Sequence, residues 1–291
     1  MFQNCLICTD FNDGLQRLVN FIPDLAQGGF KRIIFLHTVS VWEDERVASV
    51  DEKRVIEAEK YFASILKDIP DGVEVKTEVT TVRYLDTILE LVKTYAIDVI
   101  FLGTPIRSNL EAKFLGSHTL ELSKATKIPL MILRPQLIST YTNEELSLRC
   151  QHLFRYLLIP YDDSPASKYL VQQVQEYALN RPESAFQECL LIWVVDDGGR
   201  NVELTQYRLE AAQRKLDEVK QELEKLSILV HTHVCQGNPI SEALKSAVDC
   251  DVSAIATSNY RGNFLEWTVS STAENLLERS WFPMLFFSAP S

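Results

Sequence analysis

Short apolar runs alternate with longer amphipathic stretches along the chain. Runs rich in Val, Ile, Leu and Phe, such as IIFLHTVS (33–40), are typical of buried strands, whereas segments such as ISEALKSAV repeat apolar residues at helical spacing. Strands and helices that alternate in this way predict parallel sheets covered by helices on both faces. The pattern therefore predicts an open, doubly wound α/β fold. Apolar residues at helical spacing from Leu209 to Leu226 predict a long helix lying on the sheet.

The same unit occurs twice in the sequence. Segments of the first half have counterparts in the second half in the same order: CLICTDFNDG and LLIPYDDSPA, IIFLHTVS and CLLIWVVD, DVIFLGTP and DVSAIATS, ATKIPLMIL and RSWFPMLFF. The landmark pairs lie 152, 153 and 154 residues apart: Asp10 and Asp162, Asp98 and Asp251, Pro129 and Pro283. A nearly constant offset predicts two domains. We place them at residues 1–135 and 153–291, joined by a polar linker at 136–152.

Composition and charge narrow the function classes. The 291 residues are 46 % apolar and 24 % charged, which is typical of a soluble globular protein. A formal net charge of −11 argues against broad nucleic-acid binding and against docking on anionic membranes. We expect no transmembrane helix, because no apolar run approaches about 18 residues. The N-terminus lacks the pattern of a signal peptide, so we expect a cytoplasmic protein.

The sequence lacks the usual marks of catalysis and of metal binding. It contains neither a Gly-x4-Gly-Lys-Ser/Thr loop nor a Gly-x-Ser-x-Gly elbow. Cys5 and Cys8 form a C-x-x-C pair, but within a strand their odd separation points them to opposite faces. His231 and His233 share a strand face without an evident Cys or acidic partner. We expect free thiols, no metal site and no efficient enzyme, and we leave slow ATP hydrolysis open.

One loop carries two of the ten glycines, in the stretch FLGTPIRSNLEAKFLGSHT (101–119). It follows a predicted strand and leads into a predicted helix. Ligands of open parallel sheets bind beyond the carboxyl ends of the strands, and a helix N-terminus suits an anion. Gly103 and Gly116 would let the backbone approach a phosphate. The alternative is purely structural: Gly103 ends the strand and Gly116 precedes the helix.

The loop resembles the ATP-binding motif Gly-x2-Gly-x9-Gly-Ser/Thr of universal stress proteins. Nearly the whole chain resembles two such domains in tandem, of the adenine nucleotide alpha hydrolase-like type. The resemblance implies ATP or a related adenine nucleotide, with Mg²⁺, in the first domain. The implied contacts comprise the strand-end residues Thr9, Asp10 and Val39 and the loop and helix residues Gly103, Ile106, Arg107, Gly116, Ser117, His118 and Thr119.

The departures from the family pattern are informative. Ile106 stands where the motif has its second glycine, and a β-branched residue is poor where a positive φ is needed. In the second domain Gly262 is the only glycine of the corresponding loop, and Ser271 to Glu274 fit a capping box that satisfies helix N–H groups internally. We therefore expect the second domain to be degenerate.

Two functions follow as hypotheses. The first is a stress-response regulator that binds nucleotide in the first domain. The alternative is a nucleotide-free scaffold for protein partners that the sequence does not identify. In this family the last strands of two domains often pair, and here IPLMILR and FPMLFFS would pair within one chain as a pseudo-dimer. Such pairing would cover two edges that are otherwise open to aggregation. Association of whole chains into a homodimer stays open.

Overall fold

The computed structural model describes most of the chain. The described residues are 1–9, 14–39, 42–44, 47–49, 52–66, 69–81, 84–104, 117–182, 185–196, 202–258 and 272–288. The chain divides into two compact units. We call Phe2–Gln151 domain 1 and His152–Ser291 domain 2. The described helices include none that is long and apolar enough to cross a membrane.

Domain 1 contains a parallel sheet whose strands follow the order β5-β2-β1-β6-β7. These strands are β1 (Asn4–Thr9), β2 (Arg32–Thr38), β5 (Glu74–Thr80), β6 (Val99–Gly103) and β7 (Leu130–Leu133); β3 (Trp42–Asp44) and β4 (Val47–Ser49) form a separate antiparallel pair. A 3-10 helix at Leu15–Phe21 precedes the helices α1 (Ile22–Gln27), α2 (Glu52–Ile65), α3 (Tyr84–Thr94), α4 (Ser117–Ala125), α5 (Pro135–Thr140) and α6 (Asn143–His152). The central strands are apolar on both faces, as expected of a parallel sheet covered by helices.

The segment that we expected as a linker contains α5 and α6, which are hydrogen-bonded to the rest of domain 1. Arg17 donates to the backbone oxygens of Ile138 and Tyr141 at the C-terminus of α5. Asp24 accepts hydrogen bonds from Ser147 Oγ at 2.6 Å and from Gln151 Nε2 at 2.7 Å on α6. Polar composition does not distinguish a loop from such a helix, because its exposed face is also polar.

Domain 2 repeats the arrangement with the strand order β10-β9-β8-β11-β12. Its strands are β8 (Tyr156–Pro160), β9 (Glu188–Val195), β10 (Leu229–Gln236), β11 (Ala254–Ser258) and β12 (Met284–Phe287); its helices are α7 (Pro165–Ala178), α8 (Val202–Glu224), α9 (Pro239–Asp249) and α10 (Thr272–Arg279). Helix α8 is the long amphipathic helix predicted from the sequence, and its residues Ala212, Leu216 and Leu223 are buried. The parallel strands and the helices of each domain confirm the predicted fold class.

The strand register corrects one of the sequence landmarks. Asp98 N donates to Asn4 O, whereas the equivalent bond of domain 2 runs from Ser253 N to Tyr156 O. Ser253, and not Asp251, therefore occupies the position of Asp98. The two Asp-Val pairs align in sequence but lie two residues apart in the structure.

Asp251 corresponds instead to Ala96. Both residues follow a helix and have left-handed backbones, with φ 53° at Asp251 and 49° at Ala96. Aspartate is one of the few residues that tolerate this conformation. The corrected register also places Ser258 of β11 at the position of Gly103 in β6.

Candidate functional site

The candidate site of domain 1 lies where the strand order reverses. The chain runs from β1 to β2 and β5 on one side, and then returns to β6 and β7 on the other side of β1. Connections leave β1 and β6 in opposite directions, and in open parallel sheets the ligand crevice lies at the carboxyl ends of two such strands. Thr9 ends β1 and is buried, and Gly103 ends β6 and is partly exposed. The structure thus brings two of the predicted site residues to the carboxyl edge of two neighbouring strands.

Helix α4 begins close to the end of β6. Its first residue is Ser117, and Thr119 in its first turn is buried. The hydroxyl oxygen of Thr119 lies 3.3 Å from that of Thr104, the residue after β6. This contact joins the start of the helix to the edge of the sheet, so the N–H groups of the first turn, which have no partner within the helix itself, lie beside the crevice. A helix N-terminus in that position suits an anion.

Arg134 lies at the same edge of the sheet and was not among the residues predicted from the sequence. It follows β7, is buried, and donates from Nη1 to the carbonyl oxygen of Thr104 at 3.1 Å. Burial lowers the pKa of Arg134 to about 10, so the guanidinium stays charged at neutral pH. Thr104 N also donates to Leu133 O at 2.9 Å. The only signal in the sequence was a lone cation directly after an apolar strand.

The end of β2 is held by buried polar contacts. His37 is buried, and its Nδ1 lies 3.2 Å from Thr9 O, where the Nδ1–H tautomer would donate. Val39 is also buried, and its N–H donates to Thr80 O at 2.9 Å. The N–H of Val39 is therefore already bonded, and an adenine base would have to contact a different group of Val39.

The remaining predicted contacts are described in part or not at all. Asp10, Ile106, Arg107 and Gly116 lie outside the described residues. Ser117 and His118 are described as the first residues of α4, without their side chains. The contribution of these residues stays a prediction.

Domain 2 has aromatic side chains at the equivalent strand ends. Tyr161 follows β8 at the position of Thr9, and Trp193 in β9 occupies the position of His37. Their ring centroids are 5.9 Å apart with an interplanar angle of 65°. Tyr161 is buried, and its hydroxyl donates to Asp163 at 3.2 Å. Burial, together with the nearby carboxylate of Asp163, raises the pKa of Tyr161.

Polar side chains at the ends of β11 and β8 in domain 2 form hydrogen bonds and an ion pair. Ser258, at the position of Gly103, donates from Oγ to Ala166 O at 3.2 Å. Asp163 forms an ion pair with Lys168 at 2.9 Å. The polar side chains of Ser258 and Asp163 thus each have a partner within domain 2. Among the residues described by the structure, no group of three or more His, Cys, Asp or Glu side chains could hold a metal ion.

Comparison with known families identifies the two units. The model of the universal stress protein family matches residues 1–134 and 154–288. The chain belongs to the universal stress protein family. The two matches confirm the tandem arrangement expected from the sequence. Comparison with curated proteins found no match.

Solved structures share the fold over the full length. A universal stress protein from Archaeoglobus fulgidus DSM 4304 is 18 % identical, with 98 % of each chain covered and a TM-score of 0.62. A functionally unknown protein from Pseudomonas aeruginosa PAO1 is 11 % identical, with 98 % of this chain and 92 % of that chain covered and a TM-score of 0.58. At these identities the likeness concerns the fold alone.

Proposed function

We propose that this universal stress protein is a stress-response regulator that binds ATP or a related adenine nucleotide, with Mg²⁺, in domain 1. The observation that carries the proposal is the contact between Thr104 and Thr119, which places the start of α4 beside the crevice of β1 and β6. The unpaired N–H groups of this helix would bind the phosphates. The side chains of Ser117 and His118 at the same helix start would add donors.

The positive charge of Arg134 supports an anionic ligand at the carboxyl edge of β6. Arg134 is held against Thr104 with its guanidinium buried, where screening by water is weak. Its positive charge adds to the partial charge of the helix N-terminus. Arg107 would contribute a second cation, as the family resemblance implies.

For domain 2 we propose that no nucleotide binds. Tyr161 and Trp193 place two large rings where domain 1 has Thr9 and His37. Ser258 occupies the position of Gly103, and its hydroxyl already donates a hydrogen bond to Ala166 O. A nucleotide bound here would have to break the contact between the two rings and the hydrogen bond of Ser258, and it offers no evident contacts in their place.

The test compares the residues that precede the two equivalent helices. Gly116 precedes α4 and Ser271 precedes α10, so Gly116→Val and Ser271→Val form a matched pair. Isothermal titration of the wild-type chain with ATP and Mg²⁺ should show one site, and nucleotide at 100 times its Kd should stabilise the fold by about 2.7 kcal/mol. Gly116→Val should abolish binding and Ser271→Val should retain it.

Two outcomes would contradict the assignment. Unchanged affinity in Gly116→Val would refute the site in domain 1, and loss of binding in Ser271→Val would move the site to domain 2. Mass spectrometry of small molecules released by denaturing the purified protein gives an independent readout, since a tightly held adenine nucleotide should appear there.

The alternative function is a nucleotide-free scaffold in which β7 and β12 pair as a pseudo-dimer. Thr104 N donates to Leu133 O in β7, and Ile255 N donates to Pro283 O before β12. Backbone groups alternate in direction along a strand, so the N–H groups of Ile132 and Phe286 point away from the neighbouring strand of their own domain. Pairing predicts slow hydrogen exchange at these two amides, and fast exchange at either would rule it out.

A further inference from the structure

Strand β5 ends the sheet of domain 1 with an open backbone edge. Among the described strands it pairs with β2 alone. Glu74 N donates to Lys31 O, and Thr80 O accepts from Val39 N, so these alternate residues of β5 face β2. The N–H and C=O groups of Thr77 and Val79 therefore point outward. Such a row of groups, to which no described strand is bonded, is a template for another strand.

A groove of about 450 Å³ lies along the end of this edge, between β5 and α3. The carboxylates of Glu78, Asp86 and Glu90 line it. Tyr95 donates its hydroxyl to Glu78 at 2.7 Å and so holds that carboxylate in the wall. Asp86 and Glu90 are exposed, and neither forms an ion pair with any described residue.

The spacing of the acidic groups matches the repeat of an extended chain. Asp86 and Glu90 are four residues apart on α3, which corresponds to about 6 Å along the helix axis. Side chains on one face of a strand repeat every two residues, or about 6.6 Å. An added strand that runs along α3 would therefore bring two alternate side chains opposite Asp86 and Glu90.

We propose that the open edge of β5 and the acidic groove bind an extended peptide segment of a partner protein in which Lys or Arg occupies alternate positions. The backbone of the segment adds to the sheet through Thr77 and Val79, and its basic side chains face Asp86 and Glu90. This is strand addition, in which the backbone supplies affinity and alternate side chains supply specificity. The site lies at the outer edge of the sheet, two strands away from β1.

The experiment measures fluorescence anisotropy of labelled peptides on the full chain. The peptide TKTKTKT should bind, and TETETET should not. The peptide KKKTTTT has the same composition without the alternation and should bind about tenfold more weakly. Equal affinity of TKTKTKT and KKKTTTT would overturn the proposal, because it would indicate general charge attraction.

Protein variants separate the groove from the net negative charge of the chain. Asp86→Asn combined with Glu90→Gln should weaken binding of TKTKTKT about tenfold. The control, Glu218→Gln combined with Glu222→Gln, removes two exposed carboxylates at the same spacing from α8 and should leave binding unchanged. Equal effects of the two double variants would overturn the proposal.

Peptide N-methylation tests the backbone contact. In a strand that adds to β5, the N–H groups of alternate residues face the edge. Two versions of TKTKTKT are compared, one methylated at the lysine amides and one at the threonine amides. One version should lose binding, and the other should bind like the unmodified peptide. Equal affinity of the two methylated peptides would exclude strand addition. Self-association of the chain through β5, with no competition by TKTKTKT, would likewise overturn the proposal in favour of a second copy as the occupant.

Discussion

The hydroxyl oxygens of Thr104 and Thr119 lie 3.3 Å apart in a buried contact that spans 15 residues of sequence. Thr104 follows β6 and Thr119 lies in the first turn of α4. The contact therefore fixes where the helix begins relative to the edge of the sheet, and the nucleotide proposal depends on that placement.

Single substitutions of this pair should destabilise domain 1. Thr104→Val or Thr119→Val keeps the shape but leaves the other hydroxyl buried with a lost partner, which costs about 1–2 kcal/mol. The double variant should lose less than the sum of the two, with a coupling of about 0.5–1 kcal/mol. Urea unfolding measures both. Thr94→Val, at an exposed threonine, is the control and should change little; strict additivity of the pair would show that the hydroxyls do not interact.

Asp98 should make domain 1 less stable as pH rises. Its carboxylate accepts hydrogen bonds from Gln3 N at 2.8 Å and Asn4 N at 2.9 Å, but desolvation outweighs them and raises its pKa from 3.8 to about 6. The folded state therefore binds the proton more strongly than the unfolded chain. The stability contributed by this group is full below about pH 4 and is lost as pH rises through about 6.

The measurement for Asp98 compares wild type with Asp98→Asn, which cannot titrate. Between pH 4 and pH 7 the wild type should lose roughly 2–3 kcal/mol of unfolding free energy relative to the variant. Parallel pH profiles of the two proteins would show that Asp98 has an ordinary pKa.

Tyr161 should contribute to the stability of domain 2 through its ring. Tyr161→Ala would open a cavity beside Trp193 and cost about 3 kcal/mol. Tyr161→Phe keeps the ring and removes only the hydrogen bond to Asp163, which is worth about 1 kcal/mol. Denaturant unfolding, monitored by tryptophan fluorescence, measures the loss of unfolding free energy in each variant. Equal losses in the two variants would mean that the hydrogen bond rather than the ring is important.

Ser288 and Ser280 form a matched pair with opposite expectations. The hydroxyl of Ser288 is buried and has no hydrogen-bond partner among the described residues, whereas Ser280 accepts from Phe282 N at 3.0 Å. Ser288→Ala should be neutral or stabilising by up to about 1 kcal/mol, because it removes a desolvated polar group. Ser280→Ala should destabilise by about 1 kcal/mol. A clear loss in Ser288→Ala would reveal a partner for its hydroxyl.

Much of the fold could be predicted from the sequence, because strand and helix periods are local. The alternation of apolar runs predicted parallel sheets, and the repeat predicted two domains. Of the predicted site residues, Thr9, Gly103 and Thr119 lie at or beside the carboxyl edge of β1 and β6, and their role in binding stays a prediction. Thr104 and Arg134 were missed, since a single polar residue after a strand carries no pattern and gains its role only from a neighbour 30 residues away.

The sequence by itself determined the alternation of buried strands and amphipathic helices and the existence of two equivalent units, because apolar periodicity and an internal repeat are properties of the chain alone. Only the tertiary structure decided which residues are equivalent. The match of Asp98 with Asp251 was wrong because register depends on hydrogen bonds between strands that are distant in sequence. The open edge of β5 and the aromatic pair of Tyr161 and Trp193 likewise exist only once the strands lie side by side.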